Sequence, residues 1–229
     1  DFDDNTKSDN SRICYPINFI ENSLGSKNLK SAGPHPESII FLTCDAYGIM
    51  PPLARLNKKQ AMYHFISGYT AKMAGTETGV NEPVAAFSPC YGGPFLTLHP
   101  LKYAELLEKK LNEFNSQVYL VNTGWSGSSS ISGSKRIDLK LTKHIIDLIT
   151  ENKLDFSETD KDKFFDLEIP LNVEGLDNNF LVPHKSWSNL EEYQSIGNML
   201  TRLFNSNFEK YDISDTEILS AGPKSEFSI

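Results

Sequence analysis

Apolar residues recur along this chain in two rhythms, and the rhythm changes several times. Short unbroken apolar runs at residues 38–43 and 118–121 have the length and β-branched content of buried strands. Helical spacing appears three times in longer stretches. Over residues 57–73, Ala61, Met62, Phe65, Ile66, Tyr69 and Met73 fall on one face, with Asn57 as N-cap and Gly75 as terminator. Over 100–114, Leu101, Ala104, Leu107 and Leu111 form a stripe behind Pro100, which suits a first helical turn. Over 139–151 the stripe is Leu141, Ile145 and Leu148. Ser188 and Glu191 have capping-box spacing and open a last helix to about 208. Residues 163–169 read as a further strand. Residues 12–20 read as a strand that Pro16 confines to an edge or a bulge.

Polar and Gly/Pro-rich segments separate these elements. Residues 22–37, 75–98 and 122–134 read as loops, and 45–56, with Gly48 and Pro51-Pro52, as an irregular connection. The polar stretch 152–163 is the weakest joint. No repeat, heptad or dividing linker is visible. Alternating strands and helices predict an α/β domain, a mixed sheet with flanking helices.

Composition narrows the function classes. The 229 residues are 39% apolar and 23% charged, as in an ordinary globular protein. A net charge of −8 argues against general binding to nucleic acid or to an anionic membrane, both of which favour a basic face. No apolar run approaches the ~20 residues that span a bilayer. Cys14, Cys44 and Cys90 are odd in number, widely spaced and set in apolar stretches, which predicts reduced thiols and a cytoplasmic protein. The acidic start Asp1-Phe2-Asp3-Asp4, without Met or a leader pattern, is expected for a piece of a longer chain.

Residues 122–136 hold the most suggestive chemistry. A Gly/Ser turn after a strand and before a helix lets backbone N–H groups approach an anion, and Lys135 and Arg136 supply cations. The spacing is not that of a P-loop: five residues separate Gly127 from Gly133, and Lys135 does not directly follow Gly133. A solvated surface loop has the same composition. Arg12, at a strand start, could bridge phosphate oxygens or form a surface ion pair. Asp45, beside Tyr47 and Gly48 after an apolar strand, could orient a cation or a hydroxyl, or could anchor its own loop. Gly68 falls inside the expected helix, where it would permit a close contact. His35, His64, His99, His144 and His184 have no metal-site spacing. Cys90 has no visible His or Asn partner.

Several of these segments resemble ATP-dependent phosphoenolpyruvate carboxykinase. They are Asp9-Asn10-Ser11-Arg12-Ile13-Cys14-Tyr15-Pro16-Ile17, Phe41-Leu42-Thr43-Cys44-Asp45-Ala46-Tyr47-Gly48-Ile49-Met50-Pro51-Pro52 and Tyr63-His64-Phe65-Ile66-Ser67-Gly68-Tyr69-Thr70-Ala71-Lys72. Ala74-Gly75-Thr76-Glu77, Asn122-Thr123-Gly124-Trp125, Lys135-Arg136-Ile137 and Ala221-Gly222-Pro223 are similar too, in the same order along nearly the whole chain.

The resemblance implies conversion of oxaloacetate and ATP to phosphoenolpyruvate, ADP and carbon dioxide, a step of gluconeogenesis, with Mg²⁺ and Mn²⁺ as metals. It implies that residues 1–229 form the C-terminal, mononucleotide-binding domain, working with an N-terminal part of the same enzyme across a cleft. It assigns Arg12 to the transferring phosphoryl group, to ATP and to the substrate, Arg136 and Ile137 to the two sides of the adenine, and Thr142 to a further ATP contact. The loop between Trp125 and Lys135 is longer than the family pattern. The family's P-loop, metal ligands and oxaloacetate-binding Arg and Tyr have no counterpart here, so the chain alone is expected to be inactive. The alternative is a non-catalytic nucleotide-binding or assembly module of the same fold.

Overall fold

A computed structural model describes residues 34–73, 81–129 and 135–224, together with Pro16 and Phe19. Its centre is a five-stranded mixed sheet in the order β1 (Ser38–Thr43), β5 (Gln117–Asn122), β2 (Leu53–Leu56), β7 (Glu168–Asn172) and β6 (Asp155–Lys161). β1 and β5 are parallel, and the other pairs are antiparallel. Thr43 lies opposite Asn122 and Leu53 opposite Val121. The carboxyl ends of β1 and β5 and the start of β2 therefore share one edge. A separate hairpin joins β3 (Tyr69–Lys72) to β4 (Val84–Phe87).

The period of two along β5 decides the layers. Val118 and Leu120 point to one face with Phe41, Ala54 and Leu56. Three helices cover that face: α1 (Lys58–Ser67), α2 (Pro100–Phe114) and α6 (Leu190–Glu209), through Met62, Ile66, Ala104, Leu111, Leu200 and Phe204. Tyr119 and Val121 point the other way, onto Ile145, Leu148 and Ile149 of α3 (Leu139–Thr150). Leu181 and Val182, from α4 (Asn178–Leu181) and the residue after it, complete that second layer. Both faces of the central strands β5 and β2 are thus buried, and β5 reads as an apolar run. Two further short helices are α5 (Pro183–Ser186) and α7 (Thr216–Ser220). Among the described residues, no helix is long and apolar enough to cross a membrane.

The mixed α/β architecture and the elements at 38–43, 100–114, 118–121 and 139–151 agree with the sequence pattern. Others do not. The helix expected over 57–73 has its capping box at Asn57 and Gln60 but stops at Ser67. Gly68 takes the left-handed conformation (φ 53°), caps the helix, and turns the chain into β3. Tyr69 is buried there as a strand residue, so its helical spacing is coincidental. The connection expected over 45–56 contains the central strand β2, because Pro51 and Pro52 precede its ladder and remove no bond from it. The loop expected over 75–98 contains β4.

The polar joint at 152–163 is the edge strand β6, whose charges suit an open edge. The strand expected over 163–169 is a turn followed by β7, with the Phe164 and Phe165 side chains in the core. The last helix is capped by Asn189 rather than Ser188: its side chain accepts the Glu192 N–H at 3.1 Å. Of the strand expected over 12–20, only Pro16 and Phe19 are described, and a turn-type bond from the Phe19 N–H to the Pro16 carbonyl joins them at 2.9 Å.

Candidate functional site

Parallel neighbours end at the same level, so β1 and β5 deliver two turns to one place. The first turn is organised by Asp45, which is fully buried. One carboxylate oxygen accepts the Tyr47 N–H at 3.0 Å and the Tyr69 hydroxyl at 2.7 Å. The other accepts the N–H groups of Ile49 at 2.6 Å and Met50 at 2.8 Å. Burial pushes this carboxyl above its usual range, and the three backbone bonds and the Tyr69 hydroxyl oppose that push. Burial and the neighbouring Asp45 charge hold the Tyr69 phenol well above its usual value. Of the two roles open to Asp45, anchoring its own loop is the one its bonds express.

The second turn runs through Thr123, Gly124 and Trp125. The Thr123 N–H and hydroxyl both donate to the Thr43 carbonyl, at 2.8 and 2.9 Å. The Trp125 N–H donates to the Asp45 carbonyl at 2.9 Å. Two glycines let the turns mesh. A Cβ on Gly124 would lie 2.3 Å from the Asp45 carbonyl oxygen, and one on Gly48 would lie 2.2 Å from that of Ser128. Cys44, Met73 and Trp125 form a small apolar cluster beside the turn. The Trp187 indole N–H donates to the Gly48 carbonyl at 3.0 Å and closes the region from below. These packing roles escaped the sequence pattern. The glycines at 48 and 124 were its only trace, since close backbone approach is a standard reason for Gly.

The chain returns to this edge just before α3. Arg136 Nε donates to the Thr123 carbonyl at 2.6 Å, and the Ile137 N–H donates to the Gly124 carbonyl at 2.7 Å. Asp138 then caps α3, accepting the Lys140 N–H at 2.8 Å. Thr142 is buried one turn further along. Arg136, Ile137 and Thr142 thus lie together at the start of α3, with the first two fastened to the end of β5. Lys135 beside them is exposed. Arg12 lies outside the described residues.

Other candidates resolve differently. Among the described residues, neither Cys44 nor Cys90 takes part in a disulfide. Burial pushes the Cys90 thiol up to about 11, the opposite of an activated nucleophile. Among the described residues, no group of three or more His, Cys, Asp or Glu side chains is placed to hold a metal ion. A charged cleft of about 580 Å³ lies at the opposite end of β5, lined by Arg55, Lys58, Lys59, Glu108, Gln117 and Glu168 among others. Two of its cations are paired, Arg55 with Glu168 and Lys59 with Glu108 and Glu217, while Lys58 donates to the neutral Asn112 amide oxygen.

Comparison with known proteins identifies the relatives of this arrangement. Residues 1–179 match the family model described as phosphoenolpyruvate carboxykinase. A Candida glabrata protein named phosphoenolpyruvate carboxykinase (ATP) is 46% identical over 227 residues, 98% of this chain. An Oceanobacillus iheyensis protein of the same name is 45% identical over 223 residues, 97% of this chain. The chain spans 41% of the length of each of these relatives.

Proposed function

Because the chain belongs to the ATP-dependent phosphoenolpyruvate carboxykinase family, we propose that it supplies the C-terminal nucleotide-binding domain of such an enzyme. The reaction is conversion of oxaloacetate and ATP to phosphoenolpyruvate, ADP and carbon dioxide, carried out in the cytoplasm together with the rest of the enzyme. Loss of carbon dioxide from oxaloacetate leaves an enolate. The enolate oxygen attacks the γ-phosphorus of ATP, and the bond from that phosphorus to the ADP oxygen breaks.

Arg12 neutralises charge on the transferring phosphoryl group, where a guanidinium matches spread negative charge. Arg136 and Ile137 flank the adenine, one as a planar cation and the other as an apolar wall. Thr142 adds a further contact to ATP. The family also uses Mg²⁺ and Mn²⁺. The described residues offer no cluster of His, Cys, Asp or Glu side chains that fits either ion.

One observation carries this reading: the Arg136-Ile137 step is bonded to Thr123 and Gly124 at the carboxyl edge of a parallel strand pair. Ligands of open α/β sheets gather at that edge. The test is a split between two arginines in the native polypeptide. Arg12→Ala is expected to lower kcat by about a thousandfold with KM for ATP little changed, as for loss of a charge-stabilising group. Arg136→Ala is expected to raise KM for ATP about tenfold and to spare KM for oxaloacetate. An unchanged KM for ATP in Arg136→Ala would remove the adenine role.

A further inference from the structure

We propose that Asn122 is a positioning residue of the nucleotide site, holding in place the backbone to which Arg136 and Ile137 are tied. The inference rests on the adenine role given to those two residues above. Asn122 ends β5 and is 1% exposed. Its amide oxygen accepts the N–H of Asp45 at 3.0 Å and of Gly124 at 2.8 Å. Its amide nitrogen donates to the carbonyls of Met50 at 3.1 Å and Trp125 at 2.8 Å. Two acceptor positions and two N–H donors are the full capacity of a primary amide. The side chain is therefore saturated, and its four partners belong to three segments: the turn after β1, the approach to β2, and the turn after β5.

The connection to the nucleotide residues is one peptide long. Gly124 has its N–H held by Asn122 and its carbonyl held by the Ile137 N–H. The preceding carbonyl, that of Thr123, takes Arg136 Nε. The turn has no slack on its other side, because the Gly124 Cα packs against the Asp45 backbone. An aspartate at position 122 has the same shape but only acceptors, so it would face the carbonyls of Met50 and Trp125 without a donor. A serine has one donor in place of two and loses reach. Either change loosens the turn that aims Arg136 and Ile137.

The experiment compares Asn122→Asp and Asn122→Ser with Arg136→Ala and with Asn57→Ala, a cap lesion remote from this edge, all in the native polypeptide. Folding is followed by circular dichroism and thermal melting, and KM is measured for ATP and for oxaloacetate. Each Asn122 variant is expected to raise KM for ATP about tenfold with kcat within about threefold of the parent, the size expected for loss of buried hydrogen bonds. Asn57→Ala is expected to lower the melting temperature without moving KM for ATP. A folded Asn122 variant with parental KM for ATP, or with an equal rise for oxaloacetate, would overturn the proposal. Failure of both variants to fold would assign Asn122 to the fold alone and would also overturn it. An unchanged KM for ATP in Arg136→Ala would instead defeat the underlying adenine role, so the two failures are distinguishable.

Discussion

Gln117 and Asn122 sit at opposite ends of the same strand, and the chain treats the two ends differently. At the Gln117 end, a broad cleft is walled by charged side chains, of which Arg55 and Lys59 are paired with carboxylates. The Arg55 guanidinium meets the Glu168 carboxylate through two bonds, at 2.8 and 2.9 Å, and also lies over the Phe156 ring. At the Asn122 end, buried polar groups bind backbone: Asp45 and Asn122 between them make eight bonds to three turns and to Tyr69. Concavity and charge therefore do not mark the candidate site. Where Arg55 and Lys59 are already paired with carboxylates, only Lys58, bonded to the neutral Asn112 amide, is left to meet an anion. An edge whose backbone is fixed by saturated amide and carboxylate groups can aim side chains at a ligand, which is what orientation-dependent chemistry needs.

The largest expected effect comes from forcing the rigid end apart. Gly124→Ala places a methyl within 2.3 Å of the Asp45 carbonyl oxygen, where only backbone can yield. The cost should be about 3 kcal/mol or more, read as a lower denaturant midpoint. A stability equal to the parent would show that the two turns are not meshed as described.

A comparable effect should come from pH, through the core that joins the two ends. His64 is 1% exposed and packs against the Phe165 and Phe204 rings at centroid distances of 5.8 and 5.9 Å. Burial lowers its pKa from 6.5 to about 4. Between those values the unfolded chain binds a proton that the folded chain refuses. The stabilising difference is complete above pH 6.5 and is lost as pH falls toward 4, by roughly 3 kcal/mol. A His64→Phe variant should lack this component. Parallel melting-temperature profiles for parent and variant across that window would contradict it.

The smallest effect tests the charged end. Arg55→Ala should cost about 1 kcal/mol of stability, since its ion pair is one-third exposed on each side. It should leave KM for ATP within about twofold of the parent, against the tenfold rise expected for Arg136→Ala. Equal effects of the two substitutions would erase the contrast between the ends.

How much of this was legible follows from where periodicity has meaning. Phe41 of β1, Ala104 and Leu111 of α2, and Ile145 and Leu148 of α3 are buried on the faces their spacing predicts, while Leu42 of β1 is exposed. β2 has four residues behind two prolines, too few to show a period, although it lies third in the sheet. β6 is polar because it is an edge strand, so burial left no signature on it. Gly68 marks both a helix stop and the point where period 3.6 gives way to period 2, and the apolar residues around it fit either. At the candidate site, composition indicated a Gly/Ser turn near two cations but gave Arg136 no priority over Lys135. The resemblance singled out Arg136, and the folded chain distinguishes the two by burial and bonding: Arg136 is tied to Thr123, while Lys135 faces solvent. Asn122 showed only as the first residue of the 122–134 loop and of the Asn122-Thr123-Gly124-Trp125 segment, because saturation of an amide by four backbone groups depends on three segments meeting in space.

Photolabelling of the native polypeptide with 8-azido-ATP, followed by peptide mapping, tests the central claim most directly. Label displaced by ATP and recovered in peptides carrying Arg136, Ile137 or Thr142 is the predicted result. ATP-displaceable label confined to peptides from the Arg55 and Glu108 cleft would contradict the account.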